Sequence, residues 1–124
     1  MTVRVLLVDD QAPFRMAARA VVEMSDGFEV VGEAETGEAS VEMAGELHPD
    51  LVLMDVNLPG IDGLEATRRI LGHSSPVVVL LLSTYEAGDY DSKAAECGAA
   101  AYIPKSDFLP DRLEEAWSKS VASR

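Results

Sequence analysis

Three carboxylates, one hydroxyl and one amine fall at the downstream ends of apolar segments in this chain. Asp9 and Asp10 follow Val3–Val8, Asp55 follows residues 51–54, Ser83 closes residues 77–82, and Lys105 follows residues 101–104. If these segments are strands of an open parallel sheet, their ends share one edge, and ligands bind in the crevice outside it. The five side chains would then surround one pocket. Carboxylate oxygens suit a hard cation, a carboxylate can attack phosphorus and form an acyl phosphate, and a compact ammonium suits phosphoryl oxygens.

The elements that would position them alternate along the chain. Residues 3–8 are a nearly continuous apolar run, as expected of a strand covered on both faces. Phe14, Ala17, Ala18, Val21 and Val22 then share one helical face, and Gly27 ends that helix. Phe28–Ala34 reads as the second strand. Thr36 can cap a helix reaching about Leu47, with Val41 and Ala44 inward and Gly45 weakening it; His48-Pro49 stops it. Residues 51–54 form a third, buried strand, and Pro59-Gly60 and Asp62-Gly63 mark a tight loop. Residues 64–71 form a short helix and residues 76–82 the most apolar strand. A helix ends near Cys97 with Gly98 as its left-handed cap. Residues 101–103 are the fifth strand, and Leu109, Leu113, Ala116, Trp117 and Ser120 line one face of a last helix. Five such units predict an α/β domain over residues 1–124: a doubly wound, five-stranded parallel sheet with helices on both faces. The flavodoxin-like strand order 2-1-3-4-5 is favoured. No repeat, linker or second domain is expected.

Composition narrows the partners. Twenty-two acidic residues against ten basic ones leave a net charge of −12, which repels nucleic acid and anionic lipid, so this domain alone is not expected to bind DNA or membrane. Cys97 is the single cysteine. It cannot form an internal disulfide, fits a reducing compartment, and reads as a buried structural thiol among Ala94, Ala95 and Ala99. The first apolar run is too short for a signal peptide, and no stretch approaches a membrane span.

Each candidate also has a plainer reading. Asp10 could cap the following helix, but two adjacent carboxylates repel unless a cation sits nearby. Ser83-Thr84-Tyr85-Glu86 matches a helix capping box, and Thr84 is a second hydroxyl beside Ser83. Tyr102 could be a half-buried strand aromatic, and Trp117 core or lower-face packing on the last helix. His48 and His73 lack metal-ligand spacing and read as surface residues. Gly60 and Gly63 read as turn residues.

The ordered set Asp9-Asp10, Asp55 within Met-Asp-Val-Asn-Leu-Pro-Gly-Ile-Asp-Gly, Ser83, and Lys105 preceded by Tyr102 resembles the receiver domain of two-component response regulators over the whole chain. Ser83-Thr84-Tyr85 and Lys105-Ser106 resemble receivers that precede a LuxR-like DNA-binding domain. The resemblance implies a cytoplasmic phosphoacceptor whose Asp55 takes a phosphoryl group from a kinase phosphohistidine. It implies Mg²⁺ held by Asp9, Asp10, Asp55 and the backbone carbonyl near Asn57, with Lys105 and Ser83 contacting phosphoryl oxygens. Ser83 and Tyr102 would form a switch acting on an output or homodimer surface. One departure stands out. Many receivers carry a cis-bonded proline after the lysine, whereas Ser106 follows here, and a non-proline cis bond costs about 3 kcal/mol.

Three other readings compete. A haloacid-dehalogenase-like phosphatase needs a second acid where Asn57 stands. A flavodoxin-like nucleotide binder needs a phosphate-holding first loop, and Asp9-Asp10-Gln11 would repel phosphate. A degenerate receiver serving only for docking would not need the intact acids and Lys105.

Overall fold

The computed structural model describes residues 2–73, 76–84 and 91–122. Among the described residues five strands, β1 (Val3–Val8), β2 (Phe28–Ala34), β3 (Leu51–Asp55), β4 (Val78–Ser83) and β5 (Ala101–Pro104), alternate with five helices. These are α1 (Ala12–Met24), α2 (Gly37–Leu47), α3 (Gly63–Leu71), α4 (Asp91–Cys97) and α5 (Pro110–Ala122). All strand pairs are parallel and the order is β2-β1-β3-β4-β5. The chain reverses direction of winding at β1, so the carboxyl ends of β1 and β3 flank the topological switch point.

Every residue of β3 and β4 is buried, which is why their sequence is apolar without alternation. Side chains leave the sheet on both faces. Val5, Leu7, Leu51, Leu53 and Leu80 pack with Ala18, Val21 and Val22 of α1 and Leu113 and Ala116 of α5. Leu6, Val8, Val52, Met54 and Leu81 pack with Ala44 of α2, Ile70 of α3, and Ala94 and Cys97 of α4. The Cys97 thiol is buried there and donates to the Ala94 carbonyl.

Local chemistry ends the helices as the residue types require. Thr36 Oγ1 accepts from the Ala39 N–H at 3.0 Å and caps α2. His48 closes that helix in the left-handed region (φ 49°) before Pro49, and Gly98 does the same after α4 at φ 91°. Two sequence expectations shift. Ala17 is exposed, so the buried face of α1 is narrower than its apolar pattern. Leu109 is 60% exposed and precedes α5, because a 3₁₀ turn at Lys105–Asp107 changes the phase and buries Phe108 instead. The capping-box residues Tyr85 and Glu86 lie outside the described residues. No helix among the described residues is long and apolar enough to cross a membrane.

Candidate functional site

Asp9 leaves β1 already fixed. Its N–H donates to the Ala34 carbonyl at 3.0 Å, its Oδ1 accepts from the Gln11 N–H at 2.8 Å, and its carbonyl accepts from Arg15 Nη1 at 2.7 Å. The same guanidinium reaches Glu33 at 3.2 Å and Glu35 at 3.3 Å, so α1 and the end of β2 both hold this turn. Asp10 is exposed. It does not cap α1: the cap position is Gln11, whose side chain makes no capping bond.

Asp55 closes β3 and is 3% exposed. Its Oδ1 accepts from the Asn57 N–H at 3.2 Å. The turn that follows is tight because α3 starts against it: the Gly63 N–H donates to the Val56 carbonyl at 2.9 Å. A Cβ at Gly63 would stand 2.1 Å from the Asp55 carbonyl oxygen, so only glycine fits this approach. Gly63, expected as a turn residue, is instead the first residue of α3, and its close approach sets the position of Asp55.

Lys105 closes the ring of charges. Its Nζ lies 2.7 Å from Asp9 Oδ2 and 3.6 Å from Asp55 Oδ2, and 4.4 Å above the centre of the Phe14 ring. The Lys105–Ser106 peptide is trans, as ordinary amide energetics favours without proline. Asp10, Gln11, Asp55, Asn57, Thr84 and Lys105 line a crevice of about 120 Å³. Ser83 is buried at the end of β4, and its Oγ accepts from Asn57 Nδ2 at 3.3 Å. Thr84, the second hydroxyl, is exposed at the crevice wall.

One oxygen from each of Asp9, Asp10 and Asp55 falls within 4.8 Å of the others. This is an acidic cluster that could bind a metal. Its chemistry fits a hard cation: the donors are all oxygens, and Asp10 leaves one side open to water. Asp9 Oδ2 is buried with no donor in hydrogen-bond geometry among the described residues, although the Lys105 charge lies beside it. Burial raises the Asp55 pKa from 3.8 to about 6, and the Asp9 charge pushes the same way; Lys105 and the Asn57 N–H pull it back down.

Tyr102, which the sequence leaves open between a half-buried strand aromatic and a switch partner of Ser83, is 4% exposed and packs in the cluster that holds Ala94 and Cys97. Trp117 lies edge-on to Phe28, the first residue of β2, with ring centres 6.3 Å apart, at the sheet end remote from the acids. His48 and His73 are exposed, as expected, but share a hollow with Ile70 and Val77 at that same remote end. Sequence reasoning did not single out Gln11 as a crevice residue, Arg15 as a hold on the Asp9 turn, or Phe14 as a neighbour of Lys105. Arg15 could be read only by pairing it with β2, and Phe14 was legible only as a core aromatic.

The family model for the response regulator receiver domain matches residues 5–117. Response regulator GacA of Pseudomonas viridiflava is 39% identical over 112 residues, which cover 90% of this chain and 52% of that protein. Transcriptional regulatory protein DegU of Brevibacillus brevis is 35% identical over 114 residues, 92% of this chain and 48% of its own length. The chain therefore spans about half the length of these relatives. Among solved structures, a LuxR-family two-component response regulator from Aurantimonas sp. SI85-9A1 superposes with a TM-score of 0.88. It is 35% identical, and the match covers 100% of this chain and 88% of that one.

Proposed function

Since the chain belongs to the receiver-domain family of two-component response regulators, we propose that Asp55 is its phosphoacceptor and that a histidine kinase phosphohistidine, or a phosphotransfer protein, is the donor. The observation that carries this is the meeting of the buried Asp55 with Asp9, Asp10 and Lys105 at the switch point of the sheet. An Asp55 oxygen forms the new bond to phosphorus. The bond from phosphorus to the donor imidazole nitrogen breaks, and the imidazole keeps the electron pair. In the reverse half of the cycle a water oxygen bonds to phosphorus, the link to Asp55 breaks, and inorganic phosphate leaves. The domain thus catalyses only its own modification and its reversal.

Mg²⁺ is the cation proposed for the acidic cluster, held by Asp9, Asp10, Asp55 and the Asn57 backbone carbonyl. When bound, it supplies charge that offsets the repulsion between an incoming phosphoryl group and three carboxylates. The chain's own groups do the rest. Asp9 and Arg15 fix the β1 turn, Gly63 fixes Asp55, Lys105 neutralises phosphoryl oxygens, and the Ser83 hydroxyl donates to one of them. Thr84 stands at the entrance.

The family likeness supports an output in transcription control, and a second copy of the domain as partner in the phosphorylated state. The acidic surface argues against nucleic acid as a direct ligand. The unpaired, buried Cys97 accords with a cytoplasmic setting.

The test is covalent modification. Acetyl phosphate with Mg²⁺ should add one phosphoryl group, located at Asp55 by mass spectrometry and labile to base. Asp55→Asn should take up none; full modification of that variant sinks the assignment.

A further inference from the structure

The Phe14 ring has a place in the site that its apolar character does not require. It rises from the first turns of α1, is half-buried, and packs against the core that lines one face of the sheet. Its upper face meets Lys105, with Nζ 4.4 Å from the ring centre, inside the range of about 6 Å at which a ring quadrupole attracts a cation. The Lys105 ammonium therefore has three neighbours: Asp9 Oδ2 at 2.7 Å, Asp55 Oδ2 at 3.6 Å, and the ring. An ammonium sits on a flexible stem and is strongly hydrated. The side chain is still 11% exposed, so water can reach the ammonium on the side that the carboxylates leave open.

We propose that Phe14 is a positioning residue, whose ring face replaces water on one side of the Lys105 ammonium and holds it between Asp9 and Asp55, ready for phosphoryl oxygens. The inference rests on the reading of Asp55 as phosphoacceptor and adds a residue that acts through Lys105. A leucine could fill the same space, but it offers no negative face to a cation. Ring chemistry rather than volume is therefore the property under test.

The chain has only three lysines, Lys93, Lys105 and Lys119, so lysine ammonium signals in nitrogen-edited NMR are readily assigned. The rate at which Lys105 ammonium protons exchange with water reads its confinement without any phosphoryl donor. Phe14→Leu should speed that exchange about fivefold, and Phe14→Tyr should stay within about twofold of wild type. Phe14→Met serves as a second ring-free variant should Phe14→Leu fold poorly. The same ring-free variants should raise the apparent KM for acetyl phosphate about fivefold, an effect that disappears in a Lys105→Met background. Wild-type exchange and KM in a folded ring-free variant would overturn the role of Phe14 and leave Asp55 untouched. Absence of phosphoryl uptake at Asp55 in the wild type would overturn the reading beneath it, whatever the exchange rates show.

Discussion

The Lys105 ammonium is 2.7 Å from Asp9 Oδ2 but 3.6 Å from Asp55 Oδ2. The lysine thus stands closer to one of the acids proposed to hold the cation than to the proposed phosphoacceptor. It occupies by charge the region where the carboxylates would hold a cation, so the two positive charges compete for Asp9.

Lys105→Met should therefore tighten Mg²⁺ binding by at least about tenfold, since a unit charge and a divalent cation about 4 Å apart repel by about 2 kcal/mol even at the dielectric of water. It should also destabilise the metal-free protein by about 2 kcal/mol, because buried carboxylates lose their counter-charge. Calorimetric titration and thermal melting with and without Mg²⁺ read both effects. Weaker metal binding in the variant would show that Lys105 does not compete for Asp9.

A second expectation concerns pH. The Asp55 pKa is raised to about 6 in the folded protein, first by burial and then by Asp9. A group whose pKa is raised on folding favours the folded state in its protonated form. That contribution is fully present below the unfolded value of 3.8 and is lost as pH rises through about 6. Asp55→Asn removes the titration, so in metal-free buffer the variant should gain on wild type between roughly pH 4 and 7. The gain should level off above that, at about 1–3 kcal/mol. Mg²⁺ should shrink the difference, since the variant keeps Asp9 and Asp10 but loses one charged ligand and so gains less from the cation. A pH-independent difference would deny the raised pKa.

Asp10 tests whether the paired acids are there for structure or for metal. It is exposed and does not cap α1. Asp10→Ala should change metal-free stability by no more than about 0.5 kcal/mol, since removing a like charge offsets small losses. Its Mg²⁺ affinity should fall at least about tenfold. A stability loss above about 1 kcal/mol without metal, read by denaturant titration, would return Asp10 to a helix-start role.

What was legible in the chain follows from where the information is local. Asp9, Asp55, Ser83 and Lys105 could be assigned to one edge because each ends an apolar run. Parallel strands buried on both faces announce themselves by composition. Thr36 and Gly98 were legible as caps for the same reason. Leu109 was not, because one 3₁₀ turn rotates it away from α5's buried face. Nor was the hold of Arg15 on the Asp9 turn, since Glu33 and Glu35 join it only after β1 pairs with β2. The pairing of β1 with β2 also slips by one residue between Val5 and Leu6, and no pattern in the apolar run foretells it.

The last expectation concerns how a phosphoryl group would be felt beyond the crevice. The Ser83 hydroxyl accepts from the Asn57 amide at 3.3 Å. A phosphoryl oxygen on Asp55 would offer Ser83 a charged acceptor, and hydrogen bonds to charged groups contribute about 1.5–3 kcal/mol. The Ser83 proton should turn to that oxygen, and the Asn57 contact should weaken. Ser83 lies opposite Pro104 in the β4–β5 ladder, and Leu81 opposite Tyr102, so a shift at Ser83 passes directly into β5. Since the Tyr102 ring is already buried beside Ala94 and Cys97, phosphorylation should hold it there rather than bring it in. The equilibrium moves only by the difference in affinity between the two states. One such bond suffices for about a tenfold shift. Ser83→Ala should leave Asp55 modifiable but remove that shift, and Tyr102→Ala should alter it without changing uptake of the phosphoryl group. Amide exchange with and without beryllofluoride tests this. Slower exchange should extend from Ser83 through β5 to Lys105 in the wild type and be lost in Ser83→Ala. Protection confined to the Asp9–Asp10 and Asp55 turns would refute the switch and leave Asp55 as the phosphoacceptor.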